Sequence, residues 1–217
     1  MRFFLDTGDP DEARRVREWG LLDGALVRPD AALAAAKDYR RLLADVAAVG
    51  DGPVLATIAA GDAKAMYKEA RELHKLGKAI VIRVPMTREG LRVVRLLNDD
   101  QIATDVGLVF TAAQALLAAR AGSAYVSPAV GDLDDAGQSG MDVVEGIVRV
   151  YDNYGLQTQI AVQGIQSPLH VLDAAMMGAD VAVLPFGVLD KLFDHPLTQK
   201  GVASLRAPLS DGPRRIH

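Results

Sequence analysis

The 217-residue chain is half hydrophobic, carries 24 Lys and Arg against 28 Asp and Glu for a formal net charge of -4, and contains no cysteine. This length supplies one sizeable core, and charge spread without long like-signed runs excludes the basic footprint required for nucleic acid or an anionic membrane. The lack of thiols excludes disulfides and thiolate catalysis and agrees with a reducing compartment.

From the amino end, residues 2–7 form an apolar run that meets its first acid at Asp6, too soon for a signal-peptide core, so a cytoplasmic protein is expected. Further short runs rich in Val, Ile, Leu and Ala at 24–27, 54–58, 79–85, 106–110, 124–128, 159–163 and 181–186 read as strands. Between them, 31–49, 62–76, 90–98, 112–121, 142–154 and 169–177 carry helical periodicity. Near-continuous apolar strands imply burial on both faces, and crossovers of helix length make neighbouring strands parallel. Eight such cycles favour closure into a (β/α)₈ TIM barrel, an α/β fold, over an open doubly wound sheet. Neither Gly-x-Gly-x-x-Gly after the first strand nor a phosphate-binding Gly-x4-Gly-Lys-Ser/Thr loop is found. No apolar run approaches the roughly 18 residues of a membrane span. One domain is expected over 1–207, its end a helical arm from Val188 bearing Leu189, Leu192, Phe193 and Leu197, with a flexible tail over 208–217.

Barrel chemistry sits at the carboxyl ends of the strands. The residues there are Asp6, Arg28, Thr57, Arg83, Asp105, Gly107, Asp132, Gln163 and Gln166, and charges are frequent among them. Arg83 lies within Ile80-Val81-Ile82-Arg83-Val84-Pro85, where a guanidinium requires a partner. Asp6 is the expected partner, as a structural ion pair, as part of a ligand site, or as both. An Asp beside an Arg is expected to have a lowered pKa and so to act as a base. No metal site is expected, because the arginines compete for the carboxylates of Asp6, Asp105 and Asp132. His74, His170, His195 and His217 fall on helix faces, connections or the tail. Trp19, Tyr151, Tyr154, Met176 and Met177 fit packing at helical spacing.

Phe4-Leu5-Asp6-Thr7, Ile82-Arg83-Val84-Pro85-Met86-Thr87, Leu108-Val109-Phe110-Thr111-Ala112-Ala113-Gln114-Ala115-Leu116, Tyr125-Val126-Ser127-Pro128, Leu133-Asp134-Asp135 and His195-Pro196-Leu197-Thr198-Gln199-Lys200-Gly201 carry a resemblance over nearly the whole chain. The chain resembles the small transaldolase and fructose-6-phosphate aldolase family. The resemblance implies a barrel without cofactor and a ring-based homo-oligomer such as a decamer, the C-terminal arm packing on a neighbouring subunit.

It also implies an imine-forming lysine in the fourth strand, where this sequence has Arg83. A guanidinium stays protonated and forms no useful imine, and Lys37, Lys64, Lys68, Lys75, Lys78, Lys191 and Lys200 are all expected on helices or connections. The family's Thr-Thr-Asn-Pro-Ser reads Leu26-Val27-Arg28-Pro29-Asp30, and its strand-three Gln or Glu is Thr57. Its strand-five Asn and Thr are Asp105 and Gly107, and its phosphate-binding arginine before Leu-Asp-Asp is Asp132. Its Ala-Ser-Ile-Arg is Gln163-Gly164-Ile165-Gln166, so that Asp6 alone is retained. Schiff-base catalysis is therefore expected to be lost, and binding of sugar phosphate in the family's manner is placed in doubt. Three readings follow. The first is an enzyme of altered chemistry, of lyase or isomerase type, on a small carboxylate- or carbonyl-bearing metabolite. There Arg28, Arg83 and Asp6 act, and Thr57, Asp105, Asp132, Gln163 and Gln166 line the site. The second is a non-catalytic homologue with a structural or ligand-sensing role, and the third a residual aldolase or transaldolase working without lysine.

Overall fold

Alternate residues of each strand divide between two cores, and that division builds the molecule. In the computed structural model, which describes residues 1–34, 37–59 and 61–206, eight strands close into one barrel in sequence order. They are β1 (Arg2–Asp6), β2 (Gly24–Val27), β3 (Val54–Thr57), β4 (Ile80–Pro85), β5 (Thr104–Val109), β6 (Tyr125–Pro128), β7 (Gln159–Val162) and β8 (Val181–Leu184). Each pairs in parallel with its neighbours, and β8 returns to β1. The tail expected over 208–217 and the boundary at 207 lie outside the described residues.

Phe4, Leu26, Leu55, Val81, Tyr125, Ala161, Val181 and Val183 point inward and fill the barrel's middle. Their outward neighbours, among them Leu5, Val27, Ala56, Ile82, Val106, Val126 and Val162, pack beneath the helices. At the amino end Arg2 lies over the Phe4 and Tyr125 rings and donates to Gln159 Oε1 at 2.6 Å, which seals the floor. The polar residues two positions beyond the apolar layer therefore come to the opposite mouth, because side chains alternate along a strand.

Eleven helices are described, more than the periodicity alone indicated: α1 (Pro10–Glu18), α2 (Pro29–Ala34), α3 (Tyr39–Ala47), α4 (Ala63–His74), α5 (Arg88–Asp99), α6 (Ala112–Ala121), α7 (Val130–Asp135), α8 (Gly140–Tyr154), α9 (Pro168–Met177), α10 (Phe186–Lys191) and α11 (Pro196–Arg206). The single helix expected over 31–49 is two, since Asp38 caps α3 by accepting from the Arg41 amide at 3.1 Å. The arm is likewise divided, into α10 and α11. Trp19 after α1 packs on Phe186 and Phe193, joining the first helix to the last barrel turn. Strand five begins at Thr104, two residues earlier than expected, because the buried charge of Asp105 interrupts the apolar pattern that marks a strand. Among the described residues no helix is long and apolar enough to cross a membrane.

Candidate functional site

A pocket of about 480 Å³ opens at the carboxyl ends of β2 to β7, within the range typical of small-molecule sites. Arg28, Thr57, Arg83, Asp132 and Gln163 line it together with Asp30 and an apolar wall of Ile58, Val84, Pro85, Leu108 and Ala129. With Gly107, six of the residues expected at the mouth thus meet in one cavity. Asp105 lies behind Arg83, fully buried, and Asp6 borders a neighbouring depression on the far side of Arg28. Gln166 does not line the pocket; its carboxamide packs close over Gly131.

The charges pair differently from the expected Asp6–Arg83 bridge. Arg83, 7% exposed, donates through Nη1 to Asp105 Oδ2 and through Nη2 to Gln163 Oε1. Ser127 Oγ donates to the other oxygen of Asp105 at 2.7 Å, so the buried carboxylate is held at both ends. Asp105 is the residue beside Arg83 in the β4–β5 register, whereas Asp6 lies across the barrel mouth. Asp6 is met instead by Arg28 Nε at 3.3 Å, and Arg28 also reaches Asp30 at 3.8 Å. Arg28 remains half exposed, so its pairing is loose and screened.

Gly107 makes this arrangement possible. A Cβ at this position would sit 2.5 Å from Arg83 Nη2 and 2.7 Å from Cζ and Nε. The guanidinium lies flat on the bare β5 backbone, in the space that a strand-five side chain would fill. Beyond Gly107 the β5–β6 register shifts, and Leu108 takes a left-handed conformation with φ 58° that turns its exposed side chain to the pocket rim. On the other side, the Tyr39 hydroxyl donates to the Val27 carbonyl at 3.0 Å and accepts from the Thr57 amide at 2.7 Å. That clamp fixes the ends of β2 and β3. The Thr57 hydroxyl is buried and has no hydrogen-bond partner.

Burial pushes the Asp6 carboxyl above its ordinary value despite the opposing fields of Arg28 and Arg83, which corrects the expectation of a lowered pKa. The sign for stability follows from linkage. With the folded pKa raised, the contribution is fully present below the unfolded value and is lost as pH rises through the folded one. Asp6→Asn is therefore expected to have a higher Tm than wild type at pH 7, and the difference should shrink toward about pH 4. Thermal scans across that range check this, and a difference that widens in acid contradicts it.

Comparison with known proteins identifies the scaffold. The Transaldolase/Fructose-6-phosphate aldolase family matches residues 3–212. A probable transaldolase of Methanococcus maripaludis is 45% identical over 207 residues, covering 95% of this chain and 96% of the relative. Another from Coprothermobacter proteolyticus is 44% identical over 215 residues, covering 99% of each, and one from Desulfosudis oleivorans is 48% identical over 202 residues, covering 93% and 94%. The chain belongs to the transaldolase/fructose-6-phosphate aldolase family.

In this member of the transaldolase/fructose-6-phosphate aldolase family, the lysines among the described residues lie on helices or the connections beside them, and no strand carries one. No group of three or more His, Asp or Glu among the described residues is arranged to hold a metal ion. Ser127, Tyr39 and Leu108 belong to the site although the sequence gave none of them a supporting role, and Gly107, expected at the mouth, acts as clearance for Arg83. Ser127 had a signal, its inward place two residues after Tyr125. The other two act through a reach between elements or a shift of register, which leave no local pattern.

Proposed function

We propose that this transaldolase-family barrel binds a small carbonyl- or carboxylate-bearing metabolite non-covalently at the mouth and does not form an imine with it. The observation that carries this reading is Arg83, held on β4 by Asp105 and Gln163 at the pocket floor, where the family resemblance implies an amine. A guanidinium retains its proton to above about pH 12 and does not condense with a ketone. It polarises a carbonyl or pairs with a carboxylate. Half-exposed Arg28 adds a second cation, and Asp6, paired with it from the neighbouring depression, reaches a ligand only through Arg28 or by a shift of that side chain. Enolisation, dehydration or related lyase and isomerase chemistry fits such a set.

Borohydride reduction in the presence of dihydroxyacetone or fructose 6-phosphate, followed by intact mass measurement, tests the reading. No lysine adduct is expected, and an adduct overturns it. Arg83→Lys alone is expected not to confer measurable fructose 6-phosphate cleavage, because Thr57, Gly107 and Gln166 still differ from the family pattern. Substantial cleavage by that variant would show those differences to be unimportant. A second reading, a non-catalytic homologue, is favoured by the internal satisfaction of the Arg83–Asp105–Ser127–Gln163 set. Ligand titration separates the two. A closed homo-oligomer belongs to the same proposal, supported by the exposed Leu197 and Leu205 of α11.

A further inference from the structure

Gln163 and Arg83 fix each other's orientation. A guanidinium only donates, so the carboxamide atom facing Nη2 is Oε1 and the Nε2 amino group is turned away from it, a pair of uncharged donors at the pocket wall. The buried, unpartnered hydroxyl of Thr57 stands beside Arg83 in the β3–β4 register. The Gln163 amino group and the Arg83 guanidinium, which both line the cavity, match the oxygens of a carbonyl or a single carboxylate.

Net charge argues against a phosphate. Among the lining residues Arg28 and Arg83 are balanced by Asp30 and Asp132, while Asp105 behind Arg83 and Asp6 beside Arg28 add further negative charge. This field penalises a dianion more steeply than a monoanion, since both the repulsion and the desolvation cost grow with the ligand's charge.

The remaining wall is apolar, and its rim residue is strained. Leu108 keeps φ 58°, a conformation costing roughly 1–2 kcal/mol for a residue with a side chain, and leaves 55% of itself exposed. Burial therefore does not account for the conformation, whereas an apolar group seated against Leu108, Ile58 and Pro85 would gain contact there.

We infer that the pocket takes a small aliphatic 2-oxo monocarboxylate, its oxygens on Gln163 and Arg83 and its alkyl chain against Leu108, and discriminates against phosphorylated sugars. This rests on the reading of the mouth as a non-covalent ligand site.

Calorimetric titration of the full chain with pyruvate, 2-oxobutyrate, 2-oxopentanoate, fructose 6-phosphate and inorganic phosphate tests it. Affinity is expected to rise about fourfold per added methylene, and neither phosphate compound should compete. Gln163→Glu keeps an acceptor for Arg83 but replaces the donor with a carboxylate oxygen, and should weaken 2-oxo acid binding by about tenfold or more. Leu108→Gly suits the left-handed backbone and so retains the fold; it should cut the gain per methylene to about twofold or less. The inference is overturned if no 2-oxo acid binds, if fructose 6-phosphate or phosphate binds more tightly, or if both variants titrate like wild type. Phosphate binding without a borohydride adduct removes the ligand class and leaves the non-covalent site standing. A lysine adduct removes the broader reading itself.

Discussion

Arg83→Met is expected to destabilise the protein by about 3–5 kcal/mol, because it leaves the fully buried Asp105 carboxylate with Ser127 as its remaining side-chain partner. For a chain of this length that is a fall in Tm on the order of 10 °C. Urea unfolding of the variant at pH 8 checks the size of the loss. Adding Asp105→Asn, which still accepts from Ser127, should recover more than half of the lost stability at pH 8. If the double variant is as unstable as the single one, Arg83 acts through packing and not through the pairing.

Gly107→Val is expected to cost about 3 kcal/mol or more through the same pair, from the opposite side. Its Cβ would fall 2.5 Å from Arg83 Nη2, and the guanidinium cannot swing aside without giving up Asp105 or Gln163. In an Arg83→Ala background the collision disappears, so the cost of Gly107→Val should fall by about 2–3 kcal/mol, read as the coupling energy of a double-mutant cycle. Additive losses would mean that the β5 backbone needs glycine for itself. A lysine at position 83 combined with Gly107→Thr is accordingly a more informative reversion than either change alone.

The site was partly legible in the sequence. Alternation placed Asp6, Arg28, Thr57, Arg83 and Gln163 at the mouth, and an apolar β4 showed that Arg83 required an acid. Which acid was not legible. Asp105 and Asp6 both end near the mouth, and the choice depends on register. Asp105 stands beside Arg83 on the adjoining strand, while Asp6 faces Arg28 across the β1–β2 pair. Gly107 read as a lost hydroxyl, whereas it is the clearance for a larger cation. Leu108 read as an ordinary strand residue, since a shift of register is a property of two strands together.

Eight strand–helix cycles, with apolar runs that need cover on both faces, made the barrel legible from the residues alone, as did the guanidinium on β4 where an amine was implied. The tertiary structure decided the charge pairing, the flat seating of Arg83 on Gly107, the raised pKa of Asp6 and the strained rim at Leu108. Arg83 meets partners 22 and 80 positions away in the chain. Contacts over such separations depend on strand stagger and closure, and desolvation depends on everything that surrounds a group, so neither is written in a local stretch of residues.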